Sequence, residues 1–164
     1  MEKIIIRHSR EGDAERIVEI ALKQWAHIYA TYRELIGEDL YEIWFKNQEE
    51  RKAASISKDA LDFQHCIVTE IDGLVVGFAA FSINNSPSGE KVGTLSNNAV
   101  DSDFGGRGIG TKQYEYIFNI MRKAGCVSVC VSTGLDDAHT AARKAYEKVG
   151  FEKALPEIKY YKKL

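Results

Sequence analysis

Residues 105–110, GGRGIG, place four glycines within six positions, directly before a stretch with the pattern of a helix. Glycine is a poor helix residue and loses more backbone entropy on folding than other residues. The Ser, Thr, Asp or Asn that ordinarily caps a helix is missing at this entrance. Without side chains, backbone N–H groups at a helix N-terminus can approach and hold an anion. The turn therefore predicts a phosphate or pyrophosphate site, to which Arg107 and Lys112 can add charge; a flexible connection without ligand is the alternative.

The spacing of the glycines discriminates between kinds of phosphate site. A dinucleotide-binding fingerprint, G-x-G-x-x-G, requires a third glycine where Thr111 stands. A P-loop requires G-x-x-x-x-G-K-[ST], and here Thr111 and Lys112 occur in the reverse order. Neither the phosphate-binding lysine nor the magnesium-binding hydroxyl is then placed correctly. The turn is a near match to both patterns and fits neither.

Apolar periodicity and turn residues predict the elements that must position this turn. In chain order these are a strand at 3–9, helices at 10–32 and 37–63 with a break around Leu35–Gly37, two strands within 64–84 joined at Asp72-Gly73, a strand at 92–100, a helix at 108–124, a strand at 126–133, a helix at 136–149 and two short closing strands around Pro156. The strand–helix–strand unit around the turn requires a parallel pair with a right-handed crossover. We expect an α/β (mixed α+β) fold with a mostly antiparallel sheet of about six to seven strands and about four helices. With no repeats, low-complexity segment or linker, residues 1–164 are interpreted as a single domain.

Composition excludes several classes of function. The 164 residues are 45% hydrophobic and 28% charged, which is ordinary for a soluble globular protein. The net charge of -2 predicts no nucleic-acid partner and no anionic membrane partner, and the N-terminus lacks the apolar core of a signal peptide. The odd set Cys66, Cys126 and Cys130 predicts free thiols in a reducing cytoplasm. No metal site is expected, because CVSVC has a strand pattern without completing ligands.

Two motifs resemble those of the GCN5-related N-acetyltransferase (GNAT) family. The segment NNAVDSDFGGRGIGTKQYEYI (97–117) is similar to the family's acyl-coenzyme-A motif, in which a strand and loop run into [QR]-x-x-G-x-[GA]. Gly108 and Gly110 match its two small positions, and Gly105 stands where Gln or Arg is usual. The downstream segment AYEKVGF (145–151) is similar to the family's fYeklGF ending, and the predicted element order agrees with the family along most of the chain. A GNAT-like fold, with its parallel strands splayed apart, is the expectation.

The resemblance implies that acetyl-CoA binds where those strands splay. Backbone groups of Asn98 and Val100 then face the pantetheine and thioester, and the amides of the glycine turn hold the pyrophosphate. The implied cofactor-binding residues are Asn98, Val100, Gly105, Gly106, Arg107, Gly108, Ile109, Gly110, Thr111 and His139. His139 stands where the family often has a cofactor-contacting Asn, and a simple surface histidine is an equal alternative.

The resemblance also implies direct attack of an amine in a ternary complex. Tyr146 matches the tyrosine that protonates the departing thiolate, the alternative being a packing role. Since no covalent intermediate is needed, Cys126 and Cys130 are assigned to the core. Thr94 aligns with a glutamate that serves as base in some relatives and cannot replace it. Asn97 and Asn98 could line a wet cleft; the remaining base candidates are Glu70, His65, His27 and a chain of waters.

The acceptor is left open as a small-molecule or peptide amine. Aromatic residues that could enclose it, or that could equally belong to the core and edges, are Trp25, Tyr29, Tyr32, Tyr160 and Tyr161. Exposed edge strands near the C-terminus are compatible with a homodimer. The competing functions are a non-catalytic acyl-CoA sensor on the same fold, favoured by Thr94, and a nucleotide-binding NTPase, which the reversed Thr-Lys disfavours.

Overall fold

The computed structural model describes residues 3–164. Its elements, in chain order, are β1 (Ile4–His8), α1 (Ala14–Ile36), α2 (Glu38–Phe45), α3 (Gln48–Leu61), β2 (Cys66–Ile71), β3 (Leu74–Asn85), β4 (Lys91–Val100), α4 (Ile109–Lys123), β5 (Ser128–Val131) and α5 (Thr140–Lys148). One-turn 3-10 helices occur at Glu11–Asp13, Ser102–Phe104 and Asp137–His139. None of the helices in this described part is long and apolar enough to cross a membrane.

The strands form one mixed sheet in the order β1-β2-β3-β4-β5. The first three pairings are antiparallel, and β4 pairs with β5 in parallel. The predicted Asp-Gly hairpin joins β2 to β3, with positive φ at both Asp72 (49°) and Gly73 (86°), the backbone that a tight hairpin turn requires. The mixed topology and the parallel crossover through α4 are therefore confirmed.

The sheet separates two layers of helices, so both of its faces are buried. On one face, α1 and α3 pack through a cluster that includes Ile17, Ile20 and Ile56. On the other face, α4 and α5 pack through a cluster that includes Ile117 and Tyr146. Strands covered on both faces have continuous apolar sequences rather than alternating ones, which explains the run LVVGFAAF at the start of β3.

A β-bulge in β4 opens the sheet beside the glycine turn. The register between β3 and β4 shifts between Ala79 and Phe81, so two residues, Ser96 and Asn97, lie opposite one residue of β3. The pairing between β4 and β5 ends at the same level, with Leu95 opposite Val131. Beyond this level β4 continues to Val100 without a partner on its β5 side. The two parallel strands therefore part, as the family resemblance predicted.

The C-terminal segment corrects the predicted strand count. No strand follows α5 in the described residues, so the sheet has five strands and not six to seven. Pro156 lacks the N–H that a sheet ladder needs, and the tail packs on α2 instead. The Tyr161 ring contacts Trp44 with a centroid separation of 5.4 Å, and Lys163 forms an ion pair with Asp39 at 2.7 Å.

The second helical region also differs from its prediction. It is divided into α2 and α3 at Asn47, whose φ of 55° is left-handed, and this raises the helix count to five in residues 3–164. The predicted break after the first helix occurs at Gly37, whose φ is 80° and whose N–H donates to the Arg33 carbonyl at 3.0 Å. Glycine tolerates this backbone without steric penalty.

Candidate active site

The glycine turn enters α4 without a side-chain cap. Gly106 and Gly108 have φ values of 74° and 71°, a region that favours glycine. Gly108 is the residue before α4, and the first backbone bond that closes the helix runs from the Lys112 N–H to the Gly108 carbonyl, 3.1 Å. The amides that precede this bond lack intrahelical acceptors and lie at the positive end of the helix dipole. An added Cβ at either glycine would meet no atom within 4 Å, so the space in front of the turn is open.

A buried carboxylate anchors the turn to α1. Asp101, 2% exposed, follows β4 directly. Its side chain accepts hydrogen bonds from Arg16 at 2.5 Å and Lys23 at 2.7 Å, and from the backbone N–H of Asp103 at 3.2 Å. Burial by itself would raise the pKa of Asp101, but these hydrogen bonds outweigh burial and lower the pKa. No sequence motif singles out Asp101, whose one signal is an acid at the end of a buried strand.

Removal of this carboxylate is expected to destabilise the fold in a pH-dependent way. In Asp101→Asn we expect a loss of about 2 kcal/mol of unfolding free energy at pH 7. This loss is smaller than the cost of breaking a fully buried ion pair, because water can reach Arg16 and Lys23 in the variant. Since the pKa of Asp101 is lowered on folding from 3.8, its contribution is complete above about pH 4 and is lost as the pH falls through the folded pKa. Urea unfolding of both proteins from pH 3 to 7 measures the difference.

Asp103→Asn is the matched control, because the Asp103 side chain is 75% exposed and should contribute little. A difference between Asp101→Asn and the wild type that stays constant down to pH 3, or is absent at pH 7, would contradict this account of the anchor.

Two tyrosines meet through one amide on the parted strand. Tyr146 on α5 and Tyr114 on α4 are both buried, and their ring centroids lie 5.3 Å apart. The Tyr114 hydroxyl donates to Oδ1 of Asn98 at 2.7 Å, and Nδ2 of Asn98 donates to the Tyr146 oxygen at 3.1 Å. The pKa of Tyr114 is raised, chiefly because its hydroxyl is buried. The sequence predicted backbone contacts for Asn98 and a place on the wall of a wet cleft, and the structure places its side chain between the two phenols.

A cleft of about 870 Å³ connects the turn to Tyr146. It passes between the parted ends of β4 and β5 and is bounded by α1 on one side and by α5 on the other. Of the predicted site residues, it is lined by Asn98, Val100, Gly105, Gly106, Gly108, Ile109, Gly110, Thr111, His139 and Tyr146. Arg107 does not line it, and its guanidinium lies over the Phe104 ring, 5.2 Å from the centroid.

His139 is held on the cleft wall by Asp136, which no sequence motif singles out. Its Nδ1 lies 2.9 Å from both carboxylate oxygens of Asp136, and its ring stacks on Tyr32 at 6.2 Å. Burial would raise the pKa of Asp136, and the hydrogen bond with His139 outweighs it and lowers the pKa. With Nδ1 occupied by the carboxylate, Nε2 is the nitrogen that remains for a ligand.

The base candidates separate clearly in space. His27 lines the cleft, and its Nε2 lies 3.2 Å from the Ala138 carbonyl. Thr94 also lines the cleft. Glu70 instead forms an ion pair with Arg7, and His65 contacts Asp62; neither lines the cleft.

Of the five aromatic acceptor candidates, Trp25 and Tyr32 line the cleft. Tyr29 is buried, Tyr160 is 87% exposed, and Tyr161 packs on α2. Of these five acceptor candidates, the two that line the cleft therefore both lie on α1.

The bulge presents a polar network on the α3 side of β4. Nδ2 of Asn97 donates to Asp59 at 2.7 Å, and Lys52 donates to Oδ1 of Asn97 at 3.1 Å. The Lys52 ammonium also lies over the Trp25 ring, 4.4 Å from the centroid. Burial lowers the pKa of Lys52, with Asp59 opposing the shift. Asn97 thus has its hydrogen bonds satisfied within the protein and forms a fixed part of the cleft wall.

The three cysteines do not line the cleft. Cys66 is buried, and burial raises the pKa of its thiol to about 12. Cys130, in contrast, is exposed on β5 and is not part of the core.

Because the thiolate is the reactive form, we expect a chromogenic disulfide reagent at pH 8 to label Cys130 rapidly and Cys66 only after unfolding. Cys130→Ser should remove the rapid phase, and rapid labelling of all three thiols in the native protein would contradict the expectation.

Residues 3–164 contain no group of three or more His, Cys, Asp or Glu side chains placed to hold a metal ion. The polar groups on the cleft wall are amides, hydroxyls, imidazoles and backbone N–H groups. These donors can bind phosphate oxygens and carbonyl groups directly.

Known proteins resemble the chain in sequence. A family model described as Acetyltransferase (GNAT) family matches residues 21–151. A curated relative, the probable N-acetyltransferase camello of Xenopus tropicalis, is 34% identical over 91 residues, which cover 56% of this chain and 40% of the relative. The match therefore spans less than half the length of that relative.

Solved structures share the fold. The aminoglycoside N-acetyltransferase AAC(6′)-Iy in complex with CoA aligns with a TM-score of 0.61 at 20% identity, covering 100% of this chain and 97% of its own. Glucosamine-6-phosphate N-acetyltransferase from Arabidopsis thaliana aligns with a TM-score of 0.62 at 18% identity, covering 98% and 99%. The family model covers most of the chain, including the glycine turn and Tyr146. The chain belongs to the GNAT acetyltransferase family.

Proposed function

We propose that the chain, as a single domain over residues 1–164, is an acetyl-CoA-dependent N-acetyltransferase. It moves the acetyl group to a primary amine by direct attack in a ternary complex. One observation carries the proposal: a single cleft runs from an uncapped, glycine-lined helix N-terminus, between two parted parallel strands, to a buried tyrosine hydroxyl.

The residues present fit the diphosphate and the acyl arm of coenzyme A. The amides of residues 106–111 would hold the diphosphate, and glycine leaves the front of the turn free of Cβ atoms at 106 and 108. The unpaired end of β4, with Asn98 and Val100, would hold the pantetheine arm, and His139 would contact it through Nε2. Support also comes from AAC(6′)-Iy, which was solved in complex with CoA.

The chain's own groups account for the acyl transfer. Beyond Leu95, β4 no longer pairs with β5. Backbone N–H groups of β4 that face this unpaired side can polarise the thioester carbonyl and stabilise its oxyanion, a contribution of about 2.7–4 kcal/mol in other enzymes. The hydroxyl of Tyr146 donates its proton to the departing thiolate sulfur. The attacking amine loses its own proton into the cleft, where His27 and His139 present imidazoles.

The acceptor is a small-molecule or peptide amine that enters beside Trp25 and Tyr32. A structure of AAC(6′)-Iy holds the bisubstrate analogue CoA-S-monomethyl-acetylneamine, which supports an amine acceptor on this fold. The proposal further includes a cytoplasmic setting, supported by three free thiols, and it involves neither nucleic acid nor membrane as partner. A homodimer is compatible with it.

Calorimetry followed by a thiol-release assay tests the proposal. We expect acetyl-CoA to bind and Mg²⁺-ATP not to bind, and we expect CoA release that depends on at least one member of a panel of small amines, aminoglycosides and lysine peptides. Binding of acetyl-CoA without release by any amine would identify an acyl-CoA sensor. Binding of ATP and not acetyl-CoA would overturn the assignment in favour of a nucleotide site.

A further inference from the structure

We propose that the Asn98 side chain is a positioning residue that directs the hydroxyl proton of Tyr146 into the cleft. The inference rests on the proposed function, in which Tyr146 is the proton donor. It follows from three hydrogen bonds around one amide and from the donor and acceptor capacity of each partner.

The Ser96 carbonyl determines which way the Asn98 amide points. Nδ2 of Asn98 lies 2.9 Å from the Ser96 carbonyl oxygen. A carbonyl oxygen only accepts, so the atom of the amide that faces it must be the nitrogen. The opposite orientation would place two carbonyl oxygens against each other. Ser96 belongs to the bulge of β4, so the backbone irregularity that opens the strands also orients this amide.

With the amide oriented, the roles of the two phenols follow. Oδ1 of Asn98 faces Tyr114, whose hydroxyl must donate to it, at 2.7 Å. Tyr114 is 4% exposed, and its raised pKa keeps this proton in place at working pH. The second N–H of the amide donates to the Tyr146 oxygen at 3.1 Å. The N–H groups of Asn98 are thereby divided between Ser96 and Tyr146.

The Tyr146 oxygen therefore accepts from Asn98 and cannot donate to it. Its own proton has to point away from the amide, where two acceptors can take it: the Tyr114 oxygen, with which Tyr146 interacts, and a group in the cleft that Tyr146 lines. A departing thiolate carries a negative charge and is a stronger acceptor than a neutral phenol oxygen, so it would draw the proton into the cleft. After the transfer, the same N–H remains directed at the phenolate oxygen and stabilises its charge.

Asn98→Asp tests this arrangement with nearly unchanged size. A carboxylate can only accept hydrogen bonds, so it would draw the Tyr146 proton toward position 98 and away from the cleft. We expect kcat to fall about 100-fold, close to the loss in Tyr146→Phe, while KM for acetyl-CoA changes less than about threefold. Asn119→Asp, the same chemical change on the exposed surface of α4, should leave kcat unchanged.

A double-mutant cycle separates positioning from a structural effect. If Asn98 acts through Tyr146, Asn98→Asp should produce no further loss of kcat in the Tyr146→Phe background. Losses that multiply, or an Asn98→Asp variant with near wild-type kcat, would overturn the inference.

A spectroscopic readout needs no turnover. The Tyr146 contribution to tyrosinate absorbance, isolated by subtracting the Tyr146→Phe titration, should rise at higher pH in Asn98→Asp than in the wild type, because a carboxylate opposes the phenolate. An unshifted titration would also overturn the inference. If the wild type shows no amine-dependent CoA release, the proposed function fails, and this titration still decides whether Asn98 controls the Tyr146 proton.

Discussion

Gly110→Asp is expected to weaken acetyl-CoA binding by about 100-fold or more while the melting temperature stays unchanged or rises. Gly110 is the second residue of α4, within the run of amides assigned to the diphosphate. A carboxylate there would meet the two negative phosphates at close range, where like charges cost several kcal/mol when partly desolvated. It would also occupy the N–H groups that the ligand needs.

The folded protein has room for this side chain. The nearest atom to a Cβ at Gly110 is the Tyr114 hydroxyl at 3.8 Å, an ordinary contact. The first turn of α4 contains no acidic residue, and an acid at a helix N-terminus typically stabilises by about 0.3–1 kcal/mol. Replacing a helical glycine by aspartate adds about 0.3 kcal/mol more, because aspartate is itself a poor helix residue. Affinity and stability should therefore move in opposite directions, which a merely damaged fold would not show.

Calorimetry with acetyl-CoA and thermal unfolding are the two measurements. Asn119→Asp carries the same change in net charge on the same helix, nine residues from Gly110 by number, and should bind acetyl-CoA as the wild type does. Near wild-type affinity in Gly110→Asp, or a large fall in its melting temperature, would contradict the role assigned to the turn.

Tyr146→Phe is expected to lower kcat by about 100- to 1,000-fold with little change in KM for acetyl-CoA. The substitution removes only the hydroxyl. The phenyl ring keeps its contacts with Tyr114 and Phe151, at 5.3 and 5.8 Å between centroids, and the Asn98 amide keeps its bond to Ser96. The loss of one hydrogen bond should cost about 1 kcal/mol of stability, so the variant remains folded.

Steady-state kinetics with the best amine of the panel measures this effect. Phe118→Leu serves as a control for packing, since Phe118 belongs to the same hydrophobic cluster and does not line the cleft. Turnover within about threefold of the wild type in Tyr146→Phe would exclude a general-acid role for this hydroxyl and leave Tyr146 as a packing residue.

Local patterns made much of this architecture predictable. The glycine turn, the strand before it and the helix after it form one short segment, so their order requires a parallel crossover. The Asp72-Gly73 dipeptide likewise carries its own turn geometry. Ten of the eleven predicted site residues line one cleft because the motif residues lie in the two segments that border it.

The features that the sequence did not reveal depend on distant partners. Asp101 meets Arg16 across 85 residues, and Asn98 meets Tyr146 across 48. Neither polar residue has a periodic pattern that identifies its partner. The bulge at Ser96 and Asn97 arises from the register between β3 and β4. No local sequence pattern predicts that register. The two closing strands predicted around Pro156 do not form, although their local sequence has a strand pattern. Pro156 interrupts that pattern, and ring contacts with α2 hold the segment away from the sheet.

The most direct measurement of the central claim compares two acyl donors in the wild type and in Gly110→Asp. Acetyl-CoA carries the diphosphate, and acetylpantetheine lacks it. If the amides of residues 106–111 bind the diphosphate, calorimetry should show that the wild type prefers acetyl-CoA strongly and that Gly110→Asp loses most of this preference while it binds acetylpantetheine as before. Equal affinity of the wild type for both donors, or an equal loss for both in the variant, would contradict the claim.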